Sequence, residues 1–239
     1  MKNLFLLIGA VIAVATSSAQ MNTEQYNNDD YQINTVAVKH SPEIAATIWT
    51  ITVKGTAGKT TPTPAGQLNG APVLGYVFPT TLKSTDVGFG ETEGIVALAL
   101  TSHPDFDDTP LWDENNDRDY ANDGIVWHPH WVVLIEDKRL AGGLAVKQFD
   151  PKEESVLLPP TNPGMPMYMD SPGFQVITKG DTIKVVVPDF RMNNKIDFSF
   201  DGVAAYMQVN TDDQNKPMLG VYKVYSIASG DLSLPYKVK

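Results

Sequence analysis

The chain has 239 residues with 18 basic and 28 acidic side chains, a net charge of −10, and no cysteine. An acidic surface repels polyanions, which disfavours nucleic acid and anionic lipid as partners. Without cysteine there are no disulfides, no thiolate metal sites and no cysteine nucleophiles, and a chain of this length can bury a core large enough to do without staples.

The N-terminus runs from a basic start at Lys2 through an apolar stretch, 4–15, to the small residues Ser17 and Ala19. This is the pattern of a cleaved secretory signal over residues 1–19. The apolar stretch falls short of the ~20 residues of a membrane span, and no later stretch is long or apolar enough. The expected location is the periplasm or the exterior. Cleavage before Gln20 would remove Lys2 from the 18 basic residues, leaving 17 against 28 acids and a net charge of −11.

Residues 20–34 are polar and aperiodic, which predicts a flexible leader. The remainder, 35–239, reads as one domain with no amphipathic helix. Its turn residues are spread throughout, with 17 prolines and 18 glycines in the whole chain. Short apolar or alternating runs between these turns predict strands. In chain order they fall at 47–54, with Trp49, Ile51 and Val53 on one face, then at 73–78 and 94–100. The longest, 125–135 (IVWHPHWVVLI), is followed by 140–149. Strands at 174–178 and 182–187 flank the hairpin turn Lys179-Gly180-Asp181, and 196–200, 203–209 and 221–227 complete the set. About ten strands of this kind predict an all-β fold, either a β-sandwich or a jelly roll.

Between the strands at 94–100 and 125–135 lies a long acidic segment. It holds Asp105, Asp107, Asp108, Asp113, Glu114, Asp117, Asp119 and Asp123, with Arg118 as its single base. Asp113, Asn115, Asp117 and Asp119 stand at every second position, a spacing that can turn several hard oxygens towards one Ca²⁺. The start resembles an EF-hand loop, but Arg118 occupies the place of that loop's glycine and Gly124 that of its bidentate glutamate. The expectation is a calcium-type loop on Asp113, Asn115, Asp117, Asp119 and Asp123. The alternative is a solvated turn with Asx caps.

Three of the four histidines lie close together: His103, His128 and His130. Residues i and i+2 of a strand share a face, so His128 and His130 present two imidazoles side by side. With His103 returning from the start of the acidic segment, and Asp105 or Asp107 able to add an oxygen, they predict a site for Zn, Fe or Cu. The order Gly124, His128, His130, Glu136, Gly143 resembles the cupin motif. It departs from that motif in its gap lengths and in having no later histidine, so the chain is not assigned to that family. Pro129 between the histidines cannot donate to a ladder and predicts an edge or a bulge. His40 has no partner nearby in sequence and reads as ordinary. Met165, Met167 and Met169 read as packing residues, although thioethers would suit copper.

No nucleophile elbow or phosphate loop is present. The residues therefore support three functional expectations. The first is an exported metal-binding protein with a histidine site and a calcium-type loop. The second is a metalloenzyme with an open coordination position, where Asp105 or Glu136 could serve as ligand or base. The third is a calcium-stabilised carbohydrate-binding module that stacks sugars on Trp112, Trp127 and Trp131. Carbohydrate and other small molecules are accordingly the candidate ligands beside the metal ions.

Overall fold

The structure, a computed structural model, describes residues 23–63, 68–103, 126–140 and 143–239. It is all-β, with 3-10 turns as the helical elements among these residues. The strands are β1 (Ile33–Ser41), β2 (Ala46–Val53), β3 (Pro72–Pro79), β4 (Ile95–Ser102), β5 (His128–Glu136), β6 (Leu144–Val146), β7 (Met169–Asp170), β8 (Val176–Lys179), β9 (Thr182–Pro188), β10 (Ser199–Phe200), β11 (Val203–Val209), β12 (Leu219–Ile227) and β13 (Tyr236–Lys237).

The expected sandwich or jelly roll gives way to a different arrangement. The largest sheet runs β4-β3-β11-β12-β6-β5, and β5 pairs again with β4, so six strands close on themselves as a barrel. Strand β7 adds to β5 over Trp131 and Val132. A second, four-stranded antiparallel sheet in the order β1-β2-β9-β8 covers part of the outer wall, and β10 pairs with β13. Closure removes the exposed edges that an open sheet of this size would have to protect.

The side-chain pattern explains why these strands form a barrel wall rather than a half-exposed sheet. In β3, Leu74, Tyr76 and Phe78 point outward into the core shared with the four-stranded sheet, while Val73 and Val77 point into the barrel. In β4, Leu98 and Leu100 point outward, Ala97 and Ala99 inward. A six-stranded barrel is narrow, so alanines such as Ala97, Ala99 and Ala205 sit among the larger aliphatic and thioether side chains of the inner face, while the aromatic rings of these strands lie on the outer one. Gly75 follows the same rule. It pairs with Ala205 and Thr101, and a Cβ there would lie 2.8 Å from Cε of Met207.

The outer core is built around Trp49, which stacks on Phe198 and meets Phe78 and Trp131 edge-on at ring separations of 5.2 and 5.8 Å. Trp49, Ile51 and Val53 are all buried, as the alternation of 47–54 predicts.

Two further elements leave little trace in the strand pattern. The polar stretch read as a leader carries two 3-10 turns from Thr23 onward, and these bury Tyr26 and Tyr31. Tyr31 stacks on Tyr76 at 5.2 Å. Two tyrosines held on single turns leave no periodic trace in sequence. Strand β1, which lies beside β2 in register from Val36↔Ile51 to Ser41↔Ala46, escapes a pattern search because much of it is polar. Pro129 belongs to β5 inside the barrel wall, paired with Leu100 of β4. The sheet tolerates it because β7 pairs with β5 at Trp131 and Val132 and β6 pairs from Leu134 to Glu136, so among the described residues Pro129 is paired with β4 alone, a local edge as its missing N–H predicts.

Candidate metal centre

Strand β5 brings His128 and His130 to the inner face of the barrel, and β4 supplies the third histidine. The two strands are antiparallel with Thr101 opposite His128 and Ala99 opposite His130. His103 lies two residues beyond Thr101 and therefore continues the inward-facing row of Ala97, Ala99 and Thr101. Closure of the barrel by the β4–β5 pairing is what turns two distant sequence positions into one cluster.

All three imidazoles are buried, and one nitrogen from each lies within 4.8 Å of the others. Nε2 of His128 and Nε2 of His103 are 2.8 Å apart. The rings of His103 and His128 are nearly perpendicular, at 82°, and so are those of His128 and His130, at 78°. Tetrahedral ligation with metal–nitrogen bonds of about 2.0–2.1 Å sets nitrogens about 3.3–3.4 Å apart, so small ring rotations would bring the three atoms to ligand spacing.

Outer partners orient two of the rings. Nδ1 of His128 lies 2.7 Å from the carbonyl oxygen of Val126, which can only accept. Nδ1 therefore carries the proton and Nε2 of His128 the lone pair. Nδ1 of His130 lies 3.0 Å from Oγ of Ser171, a contact that leaves its Nε2 as the nitrogen that could face a metal ion. Ser171 is placed by β7, since the pairing of Asp170 with Trp131 sets the next residue beside His130. Backbone carbonyls and hydroxyls that hold the second nitrogen in this way are characteristic of metal-ligating histidine.

Asp170 itself is fully buried. Its Oδ1 accepts from Oγ1 of Thr161 at 2.6 Å, while Oδ2 has no hydrogen-bond partner and lies 3.7 Å from Arg191. Burial raises its pKa above the ordinary carboxylate value, against the opposing pull of the Thr161 hydrogen bond and the Arg191 charge.

The cluster stands at one end of a cavity that fills the barrel lumen, with a volume of about 120 Å³. His103, His130 and Thr101 line it, and nearly all the rest of the lining is aliphatic or thioether. Met165, Met167, Met169 and Met207 are among the lining residues, so the methionine motif packs the lumen as its packing reading predicts. The hydroxyl of Thr101 is buried without a hydrogen-bond partner.

Other candidates fall elsewhere. Glu136 ends β5 on the surface, far along the strand from the histidines, and is no candidate for ligand or base. His40 pairs with Asp189 at 2.8 Å. Trp127 and Trp131 are buried, the first against Tyr76 and the second against Trp49, so neither forms an exposed platform for sugars. Trp112, the carboxylate candidates Asp105 and Asp107 and the calcium candidates Asp113, Asn115, Asp117, Asp119 and Asp123 lie outside the described residues. The Thr101 hydroxyl and Ser171 are site residues that sequence reasoning missed. Thr101 was within reach, since it shares strand parity with His103; Ser171 was not, because only the β5–β7 pairing brings it near. Compared with models of protein families, with curated proteins and with solved structures, the chain matches none.

Proposed function

We propose that this chain is an exported protein that binds one divalent transition-metal ion through His103, His128 and His130. The observation that carries this reading is the set of three buried imidazoles with nitrogens within 4.8 Å of one another. Two of their outer nitrogens already have orienting partners, which leaves Nε2 of each as the inward donor. An all-imidazole set suits Zn, Cu, Fe or Ni and offers nothing to a hard cation such as Mg²⁺. Calcium belongs, in this reading, to the acidic segment that joins His103 to the strand bearing His128.

Elemental analysis of the mature protein, purified without chelator or nickel affinity resin, tests it. The expected result is one equivalent of zinc, iron or copper that is lost from H128A/H130A while the circular-dichroism spectrum is kept. A wild-type preparation that neither contains nor takes up a transition metal would refute the reading.

The adjoining lumen favours a second reading, a metalloenzyme. His103 and His130 line a cavity as well as the metal cluster, so an ion held there would border space for another molecule. The bound metal would supply Lewis acidity. This chain's own residues would orient the histidines through Val126 and Ser171, exclude bulk water through the apolar lumen wall and offer the Thr101 hydroxyl to a bound group. Turnover that depends on the added metal and is abolished in H128A/H130A would separate it from simple metal binding.

A further inference from the structure

We infer that the barrel lumen binds a straight-chain aliphatic monocarboxylate, with its carboxylate between the metal and Thr101 and its chain running along the barrel. This rests on the three-histidine site holding a divalent ion, and it names what that ion would share the lumen with.

Charge is the first argument. Among the described residues that line the lumen none is acidic, so on that side the two positive charges of a divalent ion held by His103, His128 and His130 would face an apolar wall. Uncompensated charge in such surroundings is strongly unfavourable. An anionic head group entering from the lumen offsets it.

Hydrogen bonding is the second. Thr101 is 3 % exposed, lines the lumen beside His103 and His130, and its Oγ1 has no partner. Buried hydroxyls are rarely left in that state, because desolvation without a hydrogen bond is costly. A carboxylate has two oxygens. One can coordinate the metal while the other accepts from the Thr101 hydroxyl, so one head group satisfies both the ion and the orphaned donor.

Shape is the third. The lining takes in the inward row of β4 from Thr101 to Ile95, about 20 Å along the strand at strand rise and less along the axis of a barrel whose strands tilt. Its volume is only about 120 Å³. For comparison, a compact apolar cavity of about 150 Å³ holds one benzene. A space this long and this small admits a single methylene chain more readily than a ring. Leu232 and Leu234 also line it, after the end of β12 at Ile227, the residue paired with Val203. Both are held in left-handed backbone, at φ of 60° and 55°, which is a costly conformation for leucine.

The test uses the whole mature protein loaded with Co²⁺, whose visible absorption reports on its ligands. Acetate, butyrate, hexanoate and benzoate are titrated in turn. Burial of each methylene is expected to tighten binding about fourfold, so hexanoate should bind about 15-fold more tightly than butyrate. Benzoate should bind more weakly than hexanoate. Thr101→Val should keep its cobalt and lose about tenfold in hexanoate affinity, the typical cost of a hydrogen bond to a charged group. Ala99→Val, which narrows the lumen beside His130, should keep its cobalt and flatten the dependence on chain length.

Cobalt bound with no dependence on chain length would overturn the inference and leave the metal site standing. Hexanoate affinity unchanged in Thr101→Val would overturn the placement of the head group. Failure of the wild-type protein to take up cobalt would overturn both the metal site and this inference.

Discussion

Replacing Ser171 by alanine isolates the orienting contact on His130 from the ligands themselves. Ser171 is buried, and its hydroxyl lies 3.0 Å from Nδ1 of His130. Alanine removes one oxygen and leaves the backbone pairing of β7 with β5 intact. If His130 coordinates through Nε2, the loss frees its ring to rotate and removes a partner from Nδ1. Outer-shell changes of this kind cost about 10–100-fold in metal affinity, equivalent to about 1.4–2.8 kcal/mol at 1.4 kcal/mol per tenfold. Competition between the protein and a chromophoric zinc chelator measures that difference directly. The apoprotein's urea midpoint serves as the control and should move by less than the metal affinity does. Unchanged zinc affinity in S171A would refute the assignment of Nε2 of His130 to the metal. Tighter binding would indicate coordination through Nδ1, with Ser171 as a competitor.

Three other outcomes follow from the same geometry. Trp49→Ala should destabilise the protein by about 3–5 kcal/mol, because a fully buried indole at the centre of the outer core leaves a cavity between the barrel and the four-stranded sheet; chemical denaturation measures it. Saturating zinc should raise stability by about 2.7 kcal/mol at a free concentration 100 times Kd, and this gain should vanish in H128A/H130A, as read by thermal unfolding with and without metal. Asp170→Asn should change the pH dependence of stability. Because burial raises the folded-state pKa of Asp170 above its unfolded value, wild-type stability from this group is fully present below the ordinary carboxylate pKa and is lost as pH rises through the folded-state value. The asparagine variant lacks that loss, so urea midpoints at pH 4 and pH 7 should show it gaining on the wild type at the higher pH. An equal offset at both would show that the Asp170 carboxyl has the same pKa folded and unfolded.

Much of this protein is settled locally, by strand period and turn chemistry. The alternation of Trp49, Ile51 and Val53 defines β2 and its buried face, and the turn at Lys179-Gly180-Asp181 defines the hairpin of β8 and β9. The two-residue period also places His128 and His130 on one face whatever the sheet around them does. What those patterns cannot determine is where the second face of a strand goes. Leu98, Ala99 and Leu100 read as a strand buried on both sides, which is equally true of a sandwich centre and of a barrel wall. The distribution of size was the available clue, with Gly75, Ala97, Ala99 and Ala205 on one side and Phe78, Leu98, Trp131 and Tyr206 on the other.

Tertiary structure alone decided the rest. Whether β4 pairs with β5 depends on contacts across the acidic segment, beyond any local period. That pairing sets Thr101 opposite His128, carries His103 to the same end of the lumen and makes three scattered imidazoles one site. Ser171 arrives through two residues of β7, too short a strand to leave a pattern. Residue type and strand parity made the histidines ligand candidates. Closure of the barrel gave them a common centre and an apolar space beside it, because only long-range hydrogen bonding fixes which strands become neighbours.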